Sequence, residues 1–290
     1  MPAPAARQSL RLAFSPDSDD LFMFWPLLSG KVDSEGLEFE VERADTETLN
    51  ERAAVGDVDV LALSVARWPA IAHNYLLLRH GMSVGRGYGP VLVSDRERSL
   101  SSLSGARIGI PGLRTTAYLV LRLLLPSFEP VVIPIAPYAR AFEAVRSGEV
   151  DAALLIHEGR LTYAREGMSC VCELGSAWSA TNDGLPLPLG ANAVRRALGD
   201  EVVTKVSRAV RASIAWALQN REETMAELLA RETRTDLILD RTLLDRYLAM
   251  YANADTLEAS DDVQRAITAL FSKAHEAGLF PELPHLEFAR

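Results

Sequence analysis

The sequence predicts an α/β protein folded as two lobes about a shared crevice, and three patterns carry that expectation. Up to about residue 200, apolar runs of strand length alternate with amphipathic stretches of helical period, as strand–helix units with mainly parallel sheets require. Beyond residue 200 only helical periods remain. A helix–turn–strand unit also occurs twice, as "TETLNERAAVGDVDVLALS" and "YARAFEAVRSGEVDAALLIHEG". Each lobe would then offer the carboxyl end of a strand to one crevice, which is where open α/β sheets bind ligands.

In chain order, strands are expected at "LRLAF", "LEFEVE", "VDVLALS", "GPVLVS", "ARIGIPG", "VVIPIA", "VDAALLIH" and "SCVCELG", each a period-2 or continuous apolar run. The first repeat unit opens with a helix that puts Leu49 and Ala53 on one face and stops at Gly56; the second has Phe142 and Val145 and stops at Gly148. Their strands end at Ser64 and His157. Among the late helices, one stripes Val203, Val206, Val210 and Ile214, and another Val263, Ile267, Leu270 and Ala274. Ser260 is placed to cap the second of these, and Gly278 to end it. Both are expected to pack on a sheet made earlier. The lobes are expected to comprise residues 1–95 with 192–290, and residues 96–191.

Composition narrows the function. At 290 residues and 48% hydrophobic side chains, the chain can bury the cores of two ordinary domains. Its net charge of -9 argues against a nucleic-acid partner, because phosphate binding needs a clustered basic surface. The segment "AYLVLRLLL" is broken by Arg122 and too short to span a bilayer, and "MPAPAARQSLRLAF" holds no apolar stretch of signal-peptide length. The expectation is a soluble, cytoplasmic protein without membrane insertion. Cys170 and Cys172 lie two apart in a strand-like run with no ligand set around them, which reads as two plain thiols.

Five segments bear on chemistry. "IGIPGLRTTAYLVL" runs from a strand through a Pro-Gly turn to Thr115 and Thr116 at a helix start. Free amide groups there, beside two hydroxyls, suit a carboxylate or oxygen-rich ligand, although one threonine would also serve simply as a cap. "ALLIHEGRLTY" sets His157 and Glu158 directly after a buried strand, where a general base would be held at a crevice. Ser64 in "LALSVARW" is either a cap or a ligand contact. Gly85, Gly87 and Gly89 in "GRGYGPVLVS" open no helix, so they read as a tight turn rather than a phosphate loop. "TNDGLPLPLGANAV" has the composition of a surface loop or a return crossing between lobes.

The acids of "SPDSDDLFMF" lie between an expected strand ending at Phe14 and an expected helix beginning near Asp20. No second cluster completes an oxygen-rich metal shell, and Asp20 fits a structural role at a helix N-terminus.

Taken together, "SPDSDDLFMF", "LALS", "VGRGYGP", "PGLRTTAY", "IHEGRLTY" and "GLPLPLGA" resemble the 1,4-dihydroxy-6-naphthoate synthases of menaquinone biosynthesis, in the same order over nearly the whole chain. The resemblance implies the two-lobed fold of periplasmic solute-binding proteins of the twice-crossing type, and conversion of cyclic dehypoxanthine futalosine to 1,4-dihydroxy-6-naphthoate in the futalosine route. It implies no metal or cofactor. Carried over by position, the family's catalytic histidine falls on His157, its paired threonines on Thr115 and Thr116, and a substrate-contacting segment on Leu63 and Ser64. A non-catalytic binding protein of the same fold and a chorismate dehydratase are the alternatives.

The chain departs from the family at the acids. Where members commonly read Ser-Pro-Cys-Pro-Asn-Asp-Thr-Phe, this chain has Ser15, Pro16, Asp17, Ser18, Asp19, Asp20, Leu21 and Phe22. At Asp19 an amide that donates and accepts becomes a carboxylate that, ionised, only accepts. Facing the ligand, it would repel a substrate carboxylate or call for a hydroxyl donor. Ala62 likewise stands where a polar or basic residue can occur.

Overall fold

Alternation of Leu10 and Leu12 with exposed Arg11 starts the first strand, β1 (Gln8–Phe14), which turns fully buried over its last three residues. In the computed structural model, which describes residues 8–232 and 240–290, β1 leads to α1 (Ser18–Leu28), β2 (Leu37–Arg43), α2 (Thr46–Val55) and β3 (Val60–Ser64). Short strands β4 (Tyr75–Leu77) and β5 (Ser83–Gly85) follow, then β6 (Val91–Ser94), β7 (Arg107–Ile110), α3 (Thr116–Leu124), β8 (Glu129–Val132), α4 (Ala139–Arg146) and β9 (Ala152–Leu155). The chain continues through α5 (Gly159–Thr162), β10 (Ser169–Glu173), α6 (Leu174–Ala180) and β11 (Leu187–Arg195). It finishes with α7 (Asp200–Gln219), α8 (Arg221–Ala230), α9 (Arg241–Tyr251), α10 (Ala254–Leu257) and α11 (Asp261–Glu276).

These strands make two sheets. The first runs β2-β1-β3-β11-β4, with β5 also paired to β11, and the second runs β10-β6-β9-β7-β8. The chain passes to the second sheet between β5 and β6 and returns between β10 and β11, ahead of residues 95 and 191. The sheets are mixed rather than mainly parallel. The strand–helix units supply the parallel pairs β1 with β2 and β3, and β7 with β8 and β9. The crossing strands β6 and β11 run against them, and every antiparallel pair among the described residues includes one of the two.

β11 was not legible as a strand, because Pro188 and Gly190, with Pro186 and Gly184 just before it, carry a loop composition. Its register shifts between Pro188 and Gly190, and a bulge of this kind accommodates a residue that cannot donate to the ladder. β8 lies two residues earlier than "VVIPIA" suggests; Pro134, which lacks an N–H, falls just beyond it. At the glycine-rich turn, a Cβ on Gly85 would meet the Tyr88 carbonyl at 1.8 Å, and Gly87 has φ +75°. The close approach of backbone read from the sequence is therefore present.

The late helices bury the stripes read from their period: Val203, Val206, Val210 and Ile214 on α7, and Val263, Ile267, Leu270 and Ala274 on α11. Both stripes join the core under the first sheet, where Trp68 stacks on Phe271 at 6.0 Å. Ser260 does occupy the N-cap of α11, but its hydroxyl makes no cap bond. It donates instead to Asp262 Oδ1 at 2.5 Å, beside the pairs Arg86 makes with Asp255 and Asp262.

α1 carries Pro26 in its interior, which weakens the local ladder. Buried Ser213 of α7 repairs it, accepting from Leu27 N at 3.0 Å and donating to Met23 O at 2.6 Å. This pins the helix that follows the acidic loop.

Candidate active site

Four connections leave the carboxyl ends of strands in the two sheets and meet at one cleft of about 730 Å³. β1 delivers Ser15 to Asp20, β3 ends in Leu63 and Ser64, β7 leads to Thr115 and Thr116, and β9 leads to His157. Asp19, Leu63, Ser64, Thr115, Thr116 and His157 all line this cleft, as do Asp20 and Ala62. The duplicated helix–strand unit thus supplies one wall from β3 and the facing wall from β9. α9 adds Tyr247 and the N-terminal residue of α2 adds Thr46.

His157 has φ +50°, a left-handed backbone that a non-glycine residue adopts only when its surroundings hold it. Its ring is half-buried, with 17% side-chain exposure. Nδ1 lies 3.2 Å from Asp17 Oδ2 and 3.4 Å from the Tyr247 hydroxyl, while Nε2 lies 3.1 Å from Thr46 Oγ1. Burial pushes the imidazole pKa down, but the charges of Asp17, Asp19, Glu158 and Asp20 outweigh it and hold the net value above 6.5.

The acids crowd one end of the cleft. α1 begins at Ser18 rather than near Asp20, so Asp17 takes the N-cap position without a side-chain cap bond, and Asp19 and Asp20 fall in the first turn. Burial pushes Asp17 up to about 6; His157 opposes the rise, while Glu158 and Asp19 add to it. Burial, with Asp19 beside it, pushes Asp20 up to about 8. Asp20 is structural in one respect, since its Oδ2 accepts from Ser15 N at 2.8 Å, yet it also lines the cleft.

Asp19, the residue that departs from the family's asparagine, faces the cleft with both oxygens engaged. Ser83 Oγ donates to Oδ2 at 2.7 Å and the Tyr247 hydroxyl to Oδ1 at 3.0 Å. The hydroxyl donors that its chemistry calls for are supplied by the protein. Glu158 is fully buried and accepts from Ser18 Oγ at 2.6 Å and the Tyr138 hydroxyl at 3.0 Å.

The threonine pair lies at the start of α3, and the cap allowed for in the sequence falls on Thr115. Thr115 caps α3: its hydroxyl accepts from Tyr118 N at 3.2 Å and donates to Gly112 O at 2.9 Å. The Thr116 hydroxyl donates to Leu189 O at 2.7 Å and accepts from Ala66 N at 3.0 Å, tying the start of α3 to β11 and to the segment after β3. Both hydroxyl protons are thus spent within the protein. Among the described residues the Thr116 and Ala117 amides have no acceptor, and these remain for an anion. Ser64 makes no cap bond; its hydroxyl accepts from Asn50 Nδ2 at 3.1 Å, which leaves its proton for the cleft.

Sequence reasoning missed Thr46, Ser83, Tyr138 and Tyr247, and it weighed Asp17 only as a departure. Thr46 carried a usable signal, because the helix it opens belongs to the repeat unit that ends at Ser64. Tyr247 carried none: it reaches Asp19 from 228 residues away. Among the described residues no group of three or more His, Cys, Asp or Glu side chains is arranged to hold a metal ion. No described helix is long and apolar enough to cross a membrane.

Residues 10–276 match the family model described as menaquinone biosynthesis. The chain belongs to the menaquinone-biosynthesis family. This family member is 38% identical over 277 residues to the 1,4-dihydroxy-6-naphthoate synthase of Thermus thermophilus, spanning 96% of this chain and 98% of that one. A crystal structure of an Archaeoglobus fulgidus protein matches it with a TM-score of 0.86 at 42% identity, over 94% of this chain and 98% of the other. A Candida albicans protein described as having the generic periplasmic binding protein fold matches with a TM-score of 0.71 at 12% identity, over 97% of each chain. At that identity the likeness speaks to architecture, and the architecture of the family member is that of periplasmic binding proteins.

Proposed function

We propose that the protein is a carbon–carbon lyase of the 1,4-dihydroxy-6-naphthoate synthase type, converting cyclic dehypoxanthine futalosine to 1,4-dihydroxy-6-naphthoate, with His157 as general base. The observation that carries this reading is the position of His157 at the end of β9, lining the cleft in a chain that matches the Thermus enzyme along its length. In this reading Nε2 of His157 takes a proton from carbon, a step to which a positioned base contributes about 10²- to 10⁴-fold.

The ligand's orientation follows from the charge distribution. None of the described lining residues is lysine or arginine, so a substrate carboxylate is received by the unpaired amides of Thr116 and Ala117 at the start of α3. Sugar-like hydroxyls are directed to the opposite end, where Asp19 and Asp20 accept hydrogen bonds. Leu63 and Ala62 form apolar wall between the two ends.

Incubating the purified protein with cyclic dehypoxanthine futalosine and following 1,4-dihydroxy-6-naphthoate by mass spectrometry tests the reading. Product at catalytic turnover is expected. Tight binding of the compound without product would replace the lyase by a binding protein.

A further inference from the structure

We infer that Asp17 is a positioning residue for His157: its buried carboxylate, reaching Nδ1 from the loop that follows β1 of the other sheet, fixes the tautomer that leaves Nε2 as the proton acceptor. The inference deepens the reading of His157 as base and rests on it.

Geometry separates Asp17 from the other acids. His157 lines the cleft and Asp17 does not; the carboxylate stands behind the ring, 5% exposed, with Oδ2 at 3.2 Å from Nδ1. Asp17 Oδ1 also receives the Tyr138 hydroxyl at 3.3 Å, while the other described acids around the ring meet different partners. Glu158 receives Ser18 and Tyr138, Asp19 receives Ser83 and Tyr247, and Asp20 receives the Ser15 amide. The Tyr247 hydroxyl, having given its proton to Asp19, can only accept from Nδ1. Among the described residues both groups facing Nδ1 are therefore acceptors, which puts the hydrogen on Nδ1. Thr46 Oγ1 then donates to the lone pair on Nε2, and a substrate C–H replaces that hydroxyl.

The pair also joins the two sheets, because Asp17 follows β1 and His157 follows β9. The base is oriented by a group that follows a strand of the other sheet. Charge has a second effect: Asp17 is the largest of the contributions that oppose burial and raise the imidazole pKa. Neutral His157, the form that accepts a proton, predominates only above that raised value. Activity in the wild-type protein should accordingly switch on above pH 6.5, and removing the Asp17 charge should move the switch to lower pH.

The test compares Asp17→Asn, Asp17→Glu and His157→Asn in product formation across pH, alongside the ¹⁵N resonances of the His157 ring in the unmodified protein. Asp17→Asn should lower kcat about a hundredfold, by analogy with the loss of a positioned base, while KM changes by less than about threefold. Its acid limb should move to lower pH, and Asp17→Glu should restore the limb in part. The unmodified ring should show hydrogen on Nδ1 and a free Nε2, a measurement that needs no variant to fold. A wild-type pH profile in Asp17→Asn, or a ring with hydrogen on Nε2 alone, overturns the inference while leaving His157 as base. Full turnover by His157→Asn overturns both.

Discussion

α1 and α3 begin in equivalent places and do opposite work. Each follows an interior parallel strand of its sheet, β1 or β7, and each points its N-terminus at the same cleft. α3 spends both threonine hydroxyls on its own capping and anchoring and leaves amides unpaired, so its end keeps the positive potential of a helix N-terminus. α1 has no side-chain cap, carries acids in its first turn, and brings Asp17 to His157 and Tyr138, Asp19 to Tyr247, and Asp20 back to the Ser15 amide. The backbone geometry is shared; the side chains at the N-cap and first turn decide whether a helix start keeps free amides or is ringed by acids.

The contrast breaks most completely at the ring the acids serve. His157→Asn should lower turnover by about 10²- to 10⁴-fold with a circular-dichroism spectrum and ligand affinity near those of the parent protein. Retained turnover in a steady-state assay would remove proton handling from the α1 end.

At the α3 end, Thr116→Ala should affect stability more than affinity. It leaves Ala66 N and Leu189 O without their partner, a loss of about 1–3 kcal/mol for buried polar groups. Thr115→Ala should cost about 1 kcal/mol as a lost N-cap. Denaturant titration would measure both, and calorimetry with the substrate should show affinity changed by less than about threefold. A large affinity loss without a stability change would return the anion-binding role to the hydroxyls.

Stability should also fall as pH rises, and the α1 end is the cause. Folded Asp17 and Asp20 hold protons up to about 6 and about 8, whereas a carboxyl at the ordinary value of 3.8 has lost its proton well before. Between those values the folded chain binds more protons than the unfolded one, so each step up in pH favours unfolding. Thermal melts from pH 5 to 9 should show a declining midpoint, and Asp20→Asn should flatten the decline. An unchanged slope in that variant would mean that Asp20 ionises early.

Asp19→Asn should be the mildest change. It restores the amide of the family pattern, keeps an oxygen for Ser83 or Tyr247, and removes one negative charge from the cleft. KM for an anionic substrate should fall by about threefold, as weakening of a screened like-charge contact allows. A rise in KM would show that the carboxylate receives a substrate hydroxyl.

Much of the site was legible before the fold. The duplicated unit placed Ser64 and His157 at matching strand ends, and both line the cleft because a strand buried on both faces presents its first polar residue where the sheet ends. The acids were legible as a departure but not as a network. Asp20 looked like a helix-dipole residue because a helix start near it was the local expectation, whereas α1 begins two residues earlier and turns Asp20 back to Ser15. The threonine hydroxyls looked available because their acceptors, Gly112 O and Leu189 O, are backbone groups whose proximity no spacing reports. β11 was hidden by Pro188 and Gly190, although it pairs with β3, β4 and β5 in the first sheet.

Apolar period and breakers act locally, so the sequence alone shows the order of eight of the eleven described strands, the faces buried by α7 and α11, and the polar residues at the ends of β3 and β9. Only the tertiary structure decided the mixed sheets, the union of Asp17 with His157 and the arrival of Tyr247 at Asp19. Those depend on how the chain crosses twice between sheets, and crossings join residues whose separation along the chain leaves no periodic trace.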